Sequence, residues 1–578
     1  LYYIRLALRR GRKPAEIAEL ARLAPGIVEQ LAELVALEKE LTTYALYNLP
    51  VAILRQAKEA GFSDRYLAQL LAVSEMQVRD ARNAGDIRAN FFPVRPSGSA
   101  ARAKSRAATY HLLEQSEMDP RTGSKVLLLG VDPQKTGAGL EFVVEAAART
   151  LSEMGYQPVL VDSGPGALAG SKATFAGVYV EPVTEETVAN LLEAERFVKV
   201  ITDFSGGSDA GWLGSAVLAG NNTPALSIIT DPVRLQWLLE RVGLKLAEPA
   251  DLRVDTGLAV EVIGDGMEAL VTGTVEQIEE ARINLEDSAC SCPPYSLDRE
   301  VVKQAENFAM ELARELKVRG FMRVRFMVRQ TRIGFIEMSL GASALTSFVT
   351  KATGAAWVDV ATKAIMGVEL QNQILPKVGD LTHTAVKEAV FSFNHFPDLD
   401  PVLGREIRST GAVMGVAQDF GMAFLKSQLA AGEKVPTSGM VYLSIQPTDW
   451  RMFMPLAQQL VELGFELAAG EETATQLKRD NVVCSTIKQI GAGRPDILDW
   501  IKNGKVRWII STPSDVADSR NEALIRSTAV AKGIPITTTF SAARAAVRGM
   551  RQYSAVGQVA KALQDYSFFA AYSNMRKD

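Results

Sequence analysis

Cysteine and histidine are both scarce, three of each in 578 residues. Three cysteines cannot build a disulfide framework, so Cys290, Cys292 and Cys484 lead us to expect a reducing, cytoplasmic setting. Cys290 and Cys292 form a C-x-C with no second pair, so a four-ligand zinc site is not assembled and packed thiols are expected. His111, His383 and His395 are scattered, which leaves no histidine-rich metal site and no basis for a serine-type triad. An excess of positive charge is missing too. Lys and Arg total 63 against 67 Asp and Glu, for a net charge of −4, so no global basic field awaits nucleic acid. No run approaches the roughly 18 uncharged apolar residues that a membrane span needs, and no signal-peptide pattern is read.

What is present is ordinary globular material, 47% apolar and 22% charged, long enough for about four domains. Residues 1–92 carry apolar residues at three- and four-residue spacing, with Pro25-Gly26 as a break, and read as helical throughout. SDRYLAQLLAVSEMQVRDAR (63–82) resembles a helix-turn-helix, Ser74 being placed to cap the second helix. In a DNA-binding regulator Arg79 and Arg82 would lie on the reading helix; the plainer reading is a small helical bundle. Residues 93–124, rich in Pro, Ser, Ala and Arg, read as a surface linker.

The pattern then changes. KVLLLG (125–130), the helix LEFVVEAAARTLSEMG closed by Gly155, and PVLVD (158–162) form a βαβ unit that starts a parallel sheet. VKVITDF (198–204) and PALSIIT (224–230) continue as strands. Gly137-Ala138-Gly139 and Asp162 invite a dinucleotide reading. Phe142 stands where the third glycine of that motif belongs, however, and a tight structural turn is the better expectation. Further on come a helix, VVKQAENFAMELARELKV, and two strands, MRVRFMV and IGFIE, joined by RQTR. VYLSI, FELAA, VRWIIST and IPITTT mark a second, separate α/β domain.

Four stretches carry a family resemblance: VKEAVFSFNHFPDLDPVLGREIRSTGAVMGV (386–416), EDSACSCPPYSLDRE (286–300), FVTKATGAAWVDVATKAIMG (348–367) and GAGRPDILDWIKNGKVRWIIST (491–512). They resemble, in order, the C-terminal half of the carbamoyl phosphate synthase large chain, and GVDPQKTGAGLEF (130–142) is similar to that family's glycine-rich loop. The resemblance implies an α/β multidomain chain: a helical oligomerisation domain at 1–92, the linker at 93–124, and a Rossmann-like pre-ATP-grasp domain at 125–229. It further implies a truncated ATP-grasp domain at 230–429 and a methylglyoxal-synthase-like allosteric domain at 430–578.

The family's reaction transfers the ATP γ-phosphoryl group to carbamate, which demands magnesium ligands and cationic clamps. The family draws these from a glutamine on one strand and from E-x-N-x-R on the next, residues two apart that share one face. Here Glu337 keeps its place, while Ser339 replaces the asparagine, Gly341 the arginine and Arg325 the glutamine. A turn centred on Thr331 sets Arg325 directly opposite Glu337, roughly 5 Å apart at Cβ, so Arg325 is expected to hold Glu337 where a metal would sit. Pro232 stands where a phosphate-contacting arginine belongs, Arg234 being the nearest substitute. The chain also passes from LKLAEPADLRV (244–254) almost directly into TGLAVEVIGDGMEALV. Several dozen residues that form the family's ATP-covering lid are missing there, and without a lid water is not excluded.

In the allosteric domain Thr473 keeps one phosphate-contacting position and Gly470 replaces another. Trp450 replaces a lysine with Arg451 beside it, and Gln489 replaces a second lysine. Ser511 and Thr512 keep part of a phosphate-contacting motif. Thr473, Arg451, Ser511 and Thr512 are thus the candidate contacts for a small anionic effector, with fewer cations than the family uses.

The resemblance therefore implies a structural or regulatory chain whose own carbamate phosphorylation is lost. It would assemble as a homo- or hetero-oligomer with other carbamoyl phosphate synthase-type chains, with no membrane or nucleic-acid partner and no cofactor. The alternative is an active carbamate-phosphorylating half holding Mg and ATP, in which case Glu337 is the metal ligand.

Overall fold

The computed structural model describes residues 1–93, 105–110, 124–130, 140–163, 174–202, 222–248, 256–376, 381–396, 400–512, 520–556 and 561–566. His111, the Gly137–Gly139 loop and Pro513 lie outside these residues, as does the junction at 249–255 where the lid would be inserted. The chain forms two compact units, residues 1–130 with 155–200, and residues 131–154 with 201–578.

The first unit opens with helices Tyr2–Arg9, Pro14–Ala21, Pro25–Leu41, Val51–Glu59, Asp64–Leu71 and Glu75–Ala84. Pro25 sits in the first turn of its helix, where its missing N–H costs nothing. Ser74 caps the last of these helices: its Oγ accepts from Gln77 N at 3.2 Å, and Gln77 Oε1 accepts from Ser74 N at 2.9 Å. The helix-turn-helix shape is thus present, but the two arginines of its second helix, Arg79 and Arg82, are committed elsewhere. Arg82 is fully buried, with Nε on Asp64 Oδ2 at 2.7 Å and Nη2 on Asn190 Oδ1 at 2.7 Å. Lys58 Nζ bridges Asp64 Oδ1 (2.8 Å) and Glu186 Oε1 (2.6 Å), and Arg79 pairs with Glu193 at 2.5 Å. These contacts join the helices to the α/β part of the same unit, which corrects the reading of Arg79 and Arg82 as DNA-facing.

That α/β part is a six-stranded sheet in the order Asn90–Pro93, Ser105–Thr109, Gly177–Tyr179, Gln157–Val161, Lys125–Leu129, Lys199–Ile201. Lys125–Leu129 and Gln157–Val161 pair in parallel, as the βαβ pattern requires. Gly130 is needed at the end of its strand, because a Cβ there would lie 2.5 Å from Val161 O and 2.8 Å from Asp162 Cβ. The expected linker is corrected in part. Ser105–Thr109 is a strand, antiparallel to Asn90–Pro93 and parallel to Gly177–Tyr179, with Ala108 N donating to Glu181.

The second unit holds two sheets. One has seven antiparallel strands in the order Arg332–Leu340, Arg319–Arg329, Thr256–Asp265, Ala269–Glu280, Cys290–Cys292, Thr384–Val390, Gly411–Ala417. Alternation gives its first three strands two different faces. Val260, Val262, Met322 and Val324 pack in one core with Val301, Ala305, Ala309 and Leu312, which recur at three- and four-residue spacing along helix Arg299–Glu315. Glu261, Arg323 and Arg325 belong to the opposite face. The other sheet has five parallel strands in the order Ser485–Thr486, Phe465–Ala469, Gly439–Ser444, Val506–Ser511, Ile536–Thr537.

PALSIIT is a correction: Thr223–Ile229 is a helix. Pro224 falls in its first turn, where a helix tolerates it, and Ala225, Leu226, Ile228 and Ile229 reach the core at helical spacing. Helix Pro232–Arg241 follows, capped by Asp231, whose Oδ1 accepts from Val233 N at 2.9 Å. Arg234, the nearest arginine to the replaced phosphate contact, is exposed and pairs with Asp231 at 3.5 Å.

Candidate functional site

The face that the sequence singles out is built by the Arg319–Arg329 and Arg332–Leu340 hairpin. Its turn is two residues, Gln330 and Thr331, with Gln330 at φ 54° and Arg329 opposite Arg332. A perfectly regular ladder from that turn would put Arg325 opposite Ile336. Instead the register shifts between Arg325 and Phe326, a bulge that sets Arg325 opposite Glu337. The two side chains meet: Arg325 Nη1 donates to Glu337 Oε1 at 2.9 Å.

The two ends of this pair differ in environment. Arg325 is buried, and its Nη2 donates to Gln277 Oε1 (3.1 Å), Ala281 O (3.0 Å) and Ile283 O (3.3 Å). The Glu337 side chain is half exposed, at 52%. The guanidinium is therefore fixed by the sheet, and the carboxylate leans on it from solvent. Ser339 is half-buried and brings one hydroxyl, and Gly341, at φ 88°, brings no side chain.

A second arginine on this face escapes sequence reasoning. Arg323 lies opposite Ser339 on one side and Glu261 on the other. Its Nη1 donates to Glu286 Oε1 at 2.8 Å. Burial opposes ionisation of Glu286, but Arg323, then Lys387 and Arg325, outweigh it and hold the carboxyl below its ordinary pKa. Glu261 is wholly buried, and burial pushes its pKa up to about 7 despite hydrogen bonds to Oε1 from Thr346 and Ser343 and the nearby Arg323. The R-x-R of MRVRFMV announces two cations on one face; Glu286, the partner of Arg323, is 37 residues away and carries no local signal.

Magnesium does not fit this arrangement. Its ligands would have to come from oxygens around Glu337, but the nearest cross-strand partner is a fixed cation and the next positions offer a serine and a glycine. Among the described residues no group of three His, Cys, Asp or Glu side chains could hold a metal ion. Cys290 and Cys292 are buried free thiols, and burial pushes both up to about 12.

At the parallel sheet, Ser444 and Ser511 are paired at the C-terminal edge, with Ala469 ending the neighbouring strand. Open α/β sheets bind ligands at that edge. The sheet thus brings Ser511, Thr512 and the start of helix Glu471–Arg479, which carries buried Thr473, to one end. The hydroxyls already have partners. Ser444 Oγ donates to Glu522 Oε1 at 3.0 Å, Ser511 Oγ lies 3.5 Å from Glu522 Oε2, and Thr512 Oγ1 accepts from Gln446 N at 3.0 Å. Burial raises the Glu522 pKa. Arg451 is exposed on helix Trp450–Glu462. Glu522 is the residue that the sequence did not single out, since an acid in the first turn of a helix is ordinary.

Four family descriptions match the chain: the carbamoyl-phosphate synthetase large chain oligomerisation domain at residues 1–86, and the carbamoyl phosphate synthase preATP-grasp domain at 122–223. The L chain ATP binding domain matches at 256–373 and an MGS-like domain at 452–538. The carbamoyl phosphate synthase large chain of Archaeoglobus fulgidus is 31% identical over 643 residues, covering 98% of this chain and 59% of that one. That of Vibrio cholerae is 32% identical over 618 residues, covering 94% and 57%. The chain thus spans a little over half the length of the curated relatives it matches. Among solved structures, the biotin carboxylase subunit of pyruvate carboxylase is 12% identical with a TM-score of 0.42, covering 54% of this chain and 90% of that one. The chain is an α/β multidomain protein with oligomerisation, preATP-grasp, ATP-grasp and MGS-like parts, and it belongs to the carbamoyl phosphate synthase large-chain family.

Proposed function

We propose that this chain acts as a structural or regulatory component beside other carbamoyl phosphate synthase-type chains, and that it does not phosphorylate carbamate itself. One observation carries the reading: Arg325, where the resemblance calls for a glutamine, is fixed by Gln277, Ala281 and Ile283 and holds Glu337. Phosphoryl transfer depends on charge placed around the phosphates before reaction, and here that charge is consumed inside the sheet. A cation bonded to these fixed acceptors cannot give way to a metal without leaving Gln277 Oε1 and Ala281 O without their donor, Ile283 O keeping Gln277 Nε2 at 3.0 Å. The connection at 249–255 is also too short to contain a lid, which favours the same reading. The MGS-like part points the same way. With Glu522 on the strand-end serines, an anionic effector finds a carboxylate where it needs a donor.

The test is the reverse half-reaction, transfer of phosphate from carbamoyl phosphate to ADP with magnesium present. No ATP above a blank is expected. ATP formation that Glu337→Gln abolishes would refute the proposal and support the active alternative.

A further inference from the structure

A cavity of about 310 Å³ opens in the second unit, lined by Tyr295, Ser296, Phe420, Arg544, Ala545 and Arg548. Arg544 and Arg548 are four residues apart on helix Phe540–Val556, so their side chains leave the same face about 5–6 Å apart. Both are exposed, and neither has a carboxylate at ion-pair distance among the described residues. Arg551, on the same helix, does: it pairs with Glu462 at 3.0 Å.

The two unpaired guanidiniums are nonetheless held. Arg548 lies over the Phe420 ring at 5.6 Å and Arg544 over Phe540 at 5.8 Å, contacts that orient a cation without neutralising it. Arg544 also acts on the Tyr295 hydroxyl, opposing the rise in its pKa that burial imposes. Tyr295 stacks on Phe420 with centroids 3.6 Å apart and planes 3° from parallel, so each ring covers a face of the other and Phe420 is buried. The arginine-bearing helix is pinned by a close crossing: a Cβ on Gly549 would lie 2.7 Å from Gly421 O. Two carboxylates act on Tyr295: Glu279, whose Oε2 is held by Ser288 Oγ and Ala289 N, and, more strongly, Glu276. Glu276 is turned to the backbone, accepting from Tyr295 N (2.7 Å), Ser296 N (2.8 Å) and Ser296 Oγ, and burial raises its pKa. The lining therefore sets two cations beside an aromatic pair, a combination that suits an anion joined to an organic body.

We infer that this cavity binds an organic phosphate, its phosphate bridging Arg544 and Arg548 and its body lying against Tyr295 and Ser296. The inference is independent of whether carbamate phosphorylation is lost, and none of its residues belongs to the Glu337 face or to the strand-end serines. Binding here would tie the residue 295–296 turn to the C-terminal helix.

The experiment is calorimetric titration of the full chain with ribose 5-phosphate and, separately, inorganic phosphate. Saturable binding of the sugar phosphate is expected, weakening with added salt. It should fall at least tenfold in Arg544→Gln/Arg548→Gln and stay unchanged in Arg551→Gln. No binding to the wild type, or equal binding to the double variant, overturns the inference. Inorganic phosphate binding as tightly as the sugar phosphate overturns the organic-ligand assignment. Should the glutamine variant fail to fold, Arg544→Lys/Arg548→Lys replaces it. That pair keeps the charge but loses the fork, and a severalfold loss is expected; equal binding overturns the inference.

Discussion

Replacing either end of the Arg325–Glu337 pair should have very different consequences. In Arg325→Gln the acceptors Gln277 Oε1, Ala281 O and Ile283 O lose a charged donor in a buried setting. Each such loss costs on the order of 1 kcal/mol, more where no water can enter, so about 2–4 kcal/mol is expected in total. In Glu337→Gln the amide oxygen can still accept from Nη1, and the lost charge was half exposed, so under about 1 kcal/mol is expected. A 578-residue chain with two units does not unfold in one step, so the readout should be local. Amide exchange in the Arg319–Leu340 hairpin, read by mass spectrometry, reports local opening. Arg325→Gln should speed it roughly 30- to 1,000-fold, while Glu337→Gln should change it less than about fivefold. Equal acceleration by the two variants, or none by Arg325→Gln, would refute the claim that the sheet rather than the carboxylate fixes the arginine.

Arg82→Met leaves Asp64 with Lys58 alone and takes the donor from Asn190. Exchange in helices Asp64–Leu71 and Glu75–Ala84 should report a loss of about 3–5 kcal/mol, with duplex DNA unbound before and after. Glu261 is pushed up to about 7 from 4.5, so the fold keeps a proton that the unfolded chain releases between those values. Its contribution is full below pH 4.5 and is lost as pH rises through 7. Glu261→Gln should therefore match the wild-type amide-exchange protection of strand Thr256–Asp265 near pH 4.5 and exceed it at pH 8, by the equivalent of up to about 3 kcal/mol. All three cysteines are buried thiols whose pKa values burial raises to about 11 or 12, so none should react with a disulfide reagent at pH 8 until the chain is unfolded.

The elements that the sequence made legible are those where pattern and environment agree. Alternation and helical spacing located the hairpin, the parallel strands and the helices of residues 1–92, because each has one apolar face on a core. PALSIIT misled because a short β-branched run after proline looks like a strand, and only the Ala225, Leu226, Ile228 and Ile229 contacts make it a helix. The pairing of Arg325 with Glu337 followed from a turn centred on Thr331. The hairpin reaches the same pairing through a tighter turn and a bulge, a compensation with no sequence mark of its own. Arg323–Glu286 and Glu522 with its serines were invisible, because their partners are brought together only by the sheets.

The most direct measurement is equilibrium dialysis of labelled ATP against the full chain, with and without magnesium. If Arg325 has taken the place of the metal, no saturable, magnesium-dependent binding is expected at millimolar nucleotide. Saturable binding that requires magnesium and weakens in Glu337→Gln would contradict the account.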